Sequence, residues 1–131
     1  MAPKFFGVDG MDGILTVENF DTALAEGVLL LTPFDASASD AKTVAFVKNY
    51  TEKFGIAPNQ FAADAYDAVY AIYEAMKVAG VDNVTVAPNV LGDALVAVFT
   101  SEDFSFSGLT GVMTWDESGA STKVPVIVTL Q

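Results

Sequence analysis

Two short apolar runs lie near the start of the chain, and turn residues bound each of them. Lys4 to Val8 and Val28 to Thr32 are predicted to be buried strands, because such runs between glycine, proline or aspartate are typical of a sheet core. Between them, Val17 to Ala25 predicts a short helix with Gly27 just past its end. Strand, helix and strand in this order favour a parallel pair joined by a right-handed crossover.

Helical spacing follows in the middle of the chain. Apolar residues in Ala41 to Phe54 recur near helical spacing, Ser39 or Asp40 is a suitable N-cap, and Gly55 supplies the stop. Pro88 to Phe99 is predicted to form a further helix, with its leucines on one face.

The strongest helical pattern runs from Asn59 to Gly80, with Pro58 ahead of it. One apolar stripe recurs along this segment in steps of three and four: Ala62, Ala65, Val69, Ile72 and Met76. Further apolar residues lie off the stripe, which predicts a helix that packs on more than one side. Its small alanines would let it lie close to a sheet.

Strand-type patterning returns at the end of the sequence. Val112 to Trp115 and Val124 to Leu130 predict strands, and the Asp-Glu-Ser-Gly stretch after Trp115 predicts the turn between them. The chain is therefore expected to be an α/β protein with parallel sheet elements, flanking helices and a C-terminal β-hairpin.

Composition limits the partners. A chain of 131 residues is expected to form a single unit, and its hydrophobic fraction of 52% is high for its size, although no run approaches the length of a membrane span. Seventeen acidic residues against six lysines give a formal net charge of -11, which repels phosphate backbones and anionic lipid. We therefore expect neither nucleic acid nor a membrane surface as a partner.

The absence of histidine and cysteine limits the chemistry. It removes the Ser/His/Asp triad, the thiol nucleophile, the usual zinc ligands and the disulfide. The acidic residues are spread over polar helix positions and loops, where a solvated face is the usual interpretation. We therefore expect that the chain is not an enzyme and that it has no catalytic residue and no metal site. We also expect no cofactor, since the stretch "GVDGMDG" lacks the spacing of a phosphate-binding loop.

Several blocks in a fixed order carry a family resemblance: "FFGVDG", "AEGVLLLTPF", "FVKNYTEKFGIAPNQFAADAYDAVYAIYEAMKVAG", "FSGLTGVMTWDESG" and "VPVIVTL". From Phe5 to Leu130 they resemble the C-terminal part of type I extracytoplasmic solute-binding proteins, which feed branched-chain amino acid ABC transporters. The resemblance implies part of a two-lobed, Rossmann-like α/β receptor that closes on a small ligand. It also implies a periplasmic or extracellular protein, secreted or lipid-anchored, with an ABC permease as its membrane partner.

The same resemblance implies how the chain is divided between lobes. Residues 1–131 would be a single fragment that lacks the upstream part of the family, including any signal sequence. Residues 4–32 would form a βαβ element of the second lobe, residues 33–100 the hinge and helices of the first lobe, and residues 101–131 the closing strands of the second lobe. Pro33 to Ser39 would lie near the hinge.

Asp9 is the leading candidate for ligand binding. In the family that the chain resembles, an acidic residue in the loop matching "GVDG" accepts hydrogen bonds from the α-ammonium group of the ligand. A carboxylate at the carboxyl end of a parallel strand lies where ligands bind in open α/β sheets, and its bond to an ammonium group is strong. The alternative is that Asp9 only stabilises a glycine turn.

Three aromatic residues are further candidates. Phe61 and Tyr66 resemble residues that line the side-chain pocket in relatives, although aromatic residues at helical spacing also occur in cores. Phe34, in the expected hinge loop, is a weaker candidate. Trp115 is predicted to pack, and the acidic residues Asp12 and Asp67 are predicted to be solvated and structural, respectively.

These inferences lead to two functional hypotheses. In the first, the chain is the C-terminal fragment of an amino acid receptor, binds ligand weakly or not at all by itself, and self-associates through surfaces that the missing half would cover. In the second, it is a free-standing α/β module that binds a protein partner and no small molecule.

Overall fold

The structure is a computed structural model that describes residues 3–81 and 85–131. Its strands and α-helices, in chain order, are β1 (Phe6–Gly7), β2 (Leu29–Thr32), α1 (Ala41–Phe54), α2 (Gln60–Val78), α3 (Pro88–Phe99), β3 (Phe106–Gly108), β4 (Gly111–Met113) and β5 (Val126–Thr129). The chain divides into two units: unit 1 comprises the segment up to Ala63 together with Val124–Gln131, and unit 2 comprises Asp64–Lys123. The assignment of residues to lobes stays a prediction.

A three-stranded sheet in the order β1-β2-β5 organises unit 1. Strand β1 pairs in parallel with β2, with Phe6 opposite Leu29, which confirms the predicted parallel pair. Strand β5 pairs antiparallel with the other edge of β2, with Leu30 opposite Val128. Leu30 and Phe34 are buried in the core of this unit together with Ala25 and Val28.

The predicted helix at Val17 to Ala25 was wrong. The connection between β1 and β2 instead consists of short 3-10 turns at Asp9–Met11, Ile14–Thr16 and Thr22–Ala25. Asn19 adopts a left-handed conformation with φ 63°, which interrupts the helical path, and the Asp21 side chain caps a new turn by accepting a hydrogen bond from Ala23 N–H.

Helices α1 and α3 have the predicted bounds. The Asp40 carboxylate accepts a hydrogen bond of 3.0 Å from Thr43 N–H, so Asp40 is the N-cap of α1. Gly55 ends the same helix at φ 75° and donates its N–H to Thr51 C=O. Pro88 begins α3. The first N–H groups of a helix have no acceptor within the helix, so proline, which lacks this group, costs no hydrogen bond there.

Helix α2 buries a different face from the one predicted. After Gln60 in the first turn, its buried residues recur in steps of four, at Ala63, Asp67, Ala71 and Ala75, whereas Val69 and Ile72 are exposed. Small side chains allow close approach of neighbouring backbone, and Asp67 finds hydrogen-bond donors on this face. The periodicity was correct, but the stripe of larger apolar residues is not the packed one.

The hairpin near the C-terminus joins other strands than those predicted. Strands β3 and β4 form it, with Phe106 opposite Met113, while β5 belongs to the sheet of unit 1. The predicted strand begins at Val124, but Pro125 lacks the N–H group that pairing with a neighbouring strand requires. The paired strand β5 begins after it, at Val126. Trp115 forms an isolated bridge with Ser121, which lies outside the two predicted strands.

An aromatic cluster packs unit 2. The Phe99 ring lies 5.3 Å from the Phe104 ring and 4.7 Å from the Trp115 ring, centroid to centroid, in edge-to-face arrangements. These contacts agree with the predicted packing role of Trp115. None of the helices in the described part of the chain combines the length and apolarity that a membrane crossing requires.

Candidate functional site

The loop after β1 presents Asp9. Val8 separates Asp9 from the strand, and Asp9 begins the first 3-10 turn. Backbone hydrogen bonds of 2.9 Å, from Met11 N–H to Val8 C=O and from Asp12 N–H to Asp9 C=O, close this turn. The Asp9 side chain is exposed, and its carboxylate accepts no hydrogen bond from residues 3–81 or 85–131. Its carboxylate oxygens are therefore accessible to a ligand.

Gln60 connects this loop to the sheet. It is 1% exposed, and its side-chain Nε2 donates a 2.7 Å hydrogen bond to Asp9 C=O. Its Oε1 accepts a 3.1 Å hydrogen bond from Thr32 Oγ1, at the carboxyl end of β2. One buried amide thus joins the loop after β1, the end of β2 and the start of α2.

Asp12 is not simply solvated, so that prediction was wrong. Its Oδ2 accepts a 2.5 Å hydrogen bond from Gln60 N–H at the start of α2. The first amides of a helix lack acceptors within the helix and attract negative charge. Asn59 serves the same helix end, since its Oδ1 accepts a hydrogen bond from Ala62 N–H.

Phe34 lies mainly in the core of unit 1. It is 4% exposed, and its ring centroid lies 5.9 Å from that of Phe46 in an edge-to-face contact. It also borders a cleft of about 320 Å³ at the carboxyl end of β2. The cleft is lined by residues of unit 1, including Asp12, Thr32, Asp35, Ser37 and Asn59.

The other two aromatic candidates lie on α2. Phe61, in the first turn, is 50% exposed and belongs to unit 1 with Asp9 and Phe34. Tyr66 belongs to unit 2, and its ring lies 4.5 Å from that of Tyr70. Partial burial and a hydrogen bond with Tyr70 raise the pKa of the Tyr66 phenol. A ligand-binding role for any of these residues stays a prediction.

Asp67 has the structural role that was predicted for it. It is 2% exposed; its Oδ1 accepts a hydrogen bond from Leu109 N–H, and its Oδ2 accepts hydrogen bonds from the N–H and Oγ1 of Thr110, all at 2.7–2.8 Å. These donors form the two-residue turn between β3 and β4. The carboxylate therefore fixes a hairpin and is not open to a ligand.

Sequence reasoning missed Gln60. A glutamine at the start of a helix is an ordinary surface residue by composition, and only the fold shows its partners on β2 and on the loop after β1. Among the described residues, no group of three or more acidic side chains is placed to hold a metal ion.

The family assignment follows from a comparison with known sequences. The sequence profile of the periplasmic binding protein family matches residues 6–126. The chain belongs to this family. Among curated proteins, no significant match was found.

Solved structures of periplasmic binding proteins share the fold. A solute-binding protein of an ABC transporter from Rhodopseudomonas palustris BisB5, solved with 3,4-dihydroxybenzoic acid, is 25% identical with a TM-score of 0.74, over 96% of this chain and 32% of its own. A leucine-binding protein from Thermotoga maritima is 25% identical with a TM-score of 0.70, over 100% of this chain and 35% of its own. A putative branched-chain amino acid ABC transporter protein from Rhodospirillum rubrum is 27% identical with a TM-score of 0.64, over 100% and 36%.

These periplasmic binding proteins confirm the resemblance and the fold class. The chain has part of the type I periplasmic binding protein fold and spans about a third of the length of these solved relatives. The relatives are extracytoplasmic solute-binding proteins of ABC transporters. One was solved with an aromatic acid, and the other two are named for leucine or for branched-chain amino acids.

Proposed function

We propose that this chain is the C-terminal part of an extracytoplasmic receptor that binds an amino acid and delivers it to an ABC permease. The receptor performs no chemistry on its ligand, and it acts in the periplasm or outside the cell, either secreted or lipid-anchored. The observation that carries the proposal is the exposed Asp9 carboxylate in the loop after a parallel strand, with one residue between it and the strand.

Asp9 supplies the contact to the ligand's α-ammonium group. In open α/β sheets, ligands bind in the crevice at the carboxyl ends of the strands, and Asp9 follows the carboxyl end of β1. A hydrogen bond between a carboxylate and an ammonium group is short and about twice as strong as one between neutral groups. Phe61, which is 50% exposed and belongs to the same unit as Asp9, supplies apolar surface for the ligand side chain, and Phe34 supports the region from the core.

An aromatic acid is the second candidate ligand, because one solved relative was crystallised with 3,4-dihydroxybenzoic acid. Such a ligand has a carboxylate but no ammonium group, so Asp9 would repel it at short range. The Asp9 carboxylate therefore favours an amino acid over an aromatic acid.

Calorimetry on the full-length receptor separates these ligands. L-leucine is expected to bind the wild type, and Asp9→Asn should weaken it at least tenfold, because the neutral amide forms a weaker bond to the ammonium group. 3,4-dihydroxybenzoate is expected to bind weakly and to bind Asp9→Asn no worse. Unchanged leucine binding by Asp9→Asn would contradict the role of Asp9.

The size of the native polypeptide tests whether the chain acts within a receptor. An antibody against this chain is expected to detect a band several times heavier than 13.8 kDa in the source cells. A band of 13.8 kDa would instead favour the free-standing interaction module. Isolated residues 1–131 are expected to bind leucine weakly or not at all, since we propose that this chain is only part of the ligand-binding receptor.

The isolated chain is also expected to self-associate. Unit 1 exposes apolar side chains on both edge strands of its sheet, including Phe6 and Ile127. Unpaired strand edges and apolar surface favour association between copies. Light scattering over a wide concentration range should give a mass above that of the monomer, and a constant monomer mass would disprove this expectation.

A further inference from the structure

Glycine surrounds the candidate ligand residue. Gly10 follows Asp9 directly and has open space where a side chain would be, and Gly13 closes the loop at φ 86°. Glycine allows many backbone conformations, so the sequence by itself leaves the direction of the Asp9 side chain poorly determined. Two turn hydrogen bonds within the loop restrict it only locally.

Gln60 is the residue that ties this loop to the sheet. Its Nε2 reaches Asp9 C=O at 2.7 Å, and its own backbone N–H reaches the Asp12 carboxylate at 2.5 Å. The same residue is 1% exposed and belongs to the first turn of α2. It therefore holds the loop at two points, one on each side of Gly10.

The direction of the Gln60 amide is fixed by its partners. Asp9 C=O can only accept a hydrogen bond, which assigns the amide nitrogen to that side. With the nitrogen on that side, the oxygen Oε1 faces Thr32 and can only accept, so Thr32 Oγ1 is the donor toward Gln60 Oε1. The Asp9 carbonyl needs a donor and the Thr32 hydroxyl finds an acceptor, and the amide of glutamine supplies both at the right length.

We propose that Gln60 is a positioning residue for ligand binding, which holds the Asp9 backbone so that the Asp9 carboxylate is presented in one orientation. The inference rests on the proposed role of Asp9. A carboxylate that is oriented before the ligand arrives loses less conformational entropy on binding, which raises the affinity. Gln60 acts on the ligand through Asp9, since its own side chain is buried and only 1% of the residue is exposed.

Gln60→Met is the matching variant. Methionine has a similar length and volume but offers no donor, and its thioether sulfur is only a weak acceptor. Both former partners keep another hydrogen bond, because Asp9 C=O still accepts from Asp12 N–H and the Thr32 hydroxyl still reaches Phe34 C=O. The variant is therefore expected to fold. Thr43→Val, a buried polar-to-apolar change in α1, is the control.

A double-mutant cycle on the full-length receptor measures whether Gln60 works through Asp9. Gln60→Met is expected to raise the dissociation constant of L-leucine about tenfold, and less than twofold in an Asp9→Ala background. Thr43→Val should leave it unchanged. A loss from Gln60→Met that is equal in both backgrounds, or absent, would overturn the inference. If Asp9→Ala itself leaves leucine binding unchanged, the proposed role of Asp9 fails first.

Hydrogen exchange of the ligand-free protein provides a second measurement that needs no ligand. The amide of Asp12, which is bonded to Asp9 C=O, is expected to exchange about tenfold faster in Gln60→Met, whereas amides of α1 should be unaffected. Gln60→Asn, whose amide is one methylene too short, should behave like Gln60→Met. Unchanged protection of Asp12 in both variants would show that Gln60 does not hold the loop and would overturn the inference.

Discussion

Asp67 in unit 2 and Asp9 in unit 1 place the same side chain in opposite environments. Asp67 is buried, and its two oxygens accept hydrogen bonds from Leu109 N–H and from the N–H and hydroxyl of Thr110. Asp9 is exposed, and its backbone carbonyl, not its carboxylate, is held by the fold. The number of donors around each carboxylate separates a structural aspartate from one that is available to a ligand.

The first prediction tests the structural carboxylate. Asp67→Ala is expected to lower the free energy of unfolding by about 3 kcal/mol, because it leaves buried donors of the β3–β4 turn without an acceptor. Urea unfolding followed through the fluorescence of Trp115, the single tryptophan and a residue of unit 2, measures the effect. A loss below about 1 kcal/mol would mean that water replaces the carboxylate easily.

The second prediction perturbs the same turn from the other side. A Cβ atom at Gly108 would overlap the Asp67 carboxylate, so Gly108→Ala is expected to destabilise the protein by about 2 kcal/mol. Gly92 in α3 is the matched control, since nothing lies within 4 Å of its added Cβ. Gly92→Ala should stabilise by up to about 1 kcal/mol. Equal effects of the two changes would exclude a specific overlap at Gly108.

The third prediction concerns Asp40, an aspartate that is exposed but bonded. Hydrogen bonds from the Thr43 side chain and N–H lower the pKa of the Asp40 carboxyl below its usual value of 3.8. A lowered folded-state pKa stabilises the protein above the unfolded value, and this contribution is lost as the pH falls through the folded-state pKa.

Melting curves measure that contribution. The Tm of the wild type should exceed that of Asp40→Asn by a small margin at neutral pH, and the margin should shrink as the pH falls below 3.8. Asp9→Asn is the control, since the Asp9 carboxylate accepts no hydrogen bond from residues 3–81 or 85–131. A margin that is independent of pH would show that the charge at the N-cap does not contribute.

The smallest expected effect on stability comes from Asp9→Ala. Its carboxylate has no hydrogen bond to lose within the described residues, so the free energy of unfolding should change by no more than about 0.5 kcal/mol. Urea unfolding of this variant and of Asp67→Ala under the same conditions gives the comparison directly. Similar losses in both variants would contradict the distinction between the two carboxylates.

Local signals in the sequence predicted much of the fold. Asp40 and Gly55 are chemically suited to the two ends of a helix, and α1 begins and ends beside them. The parallel pairing of β1 with β2 and the packing of Trp115 were also predicted correctly. The helix ends depend on contacts within a few residues, and the parallel pair belongs to a common supersecondary unit.

Interactions between distant segments were not predictable in the same way. The sequence pattern of α2 favoured Val69 and Ile72 as the packed residues, but the buried face contains alanines and Asp67. Only the partner segment, the β3–β4 turn, explains why a carboxylate is buried there. The contacts of Gln60 and the pairing of β5 with β2 likewise join segments far apart in sequence.

The position of β5 has a consequence for the order in which the chain can fold. Unit 2 is a continuous stretch, so all its contacts are available once residues 64–123 have been synthesised. Unit 1 is discontinuous, and the second edge of β2 stays unpaired until residues 126–129 emerge. Loop closure over so long a separation is slow. During synthesis, unit 1, which carries Asp9, is therefore completed after unit 2, and until then the unpaired edge of β2 is open to association with other strands.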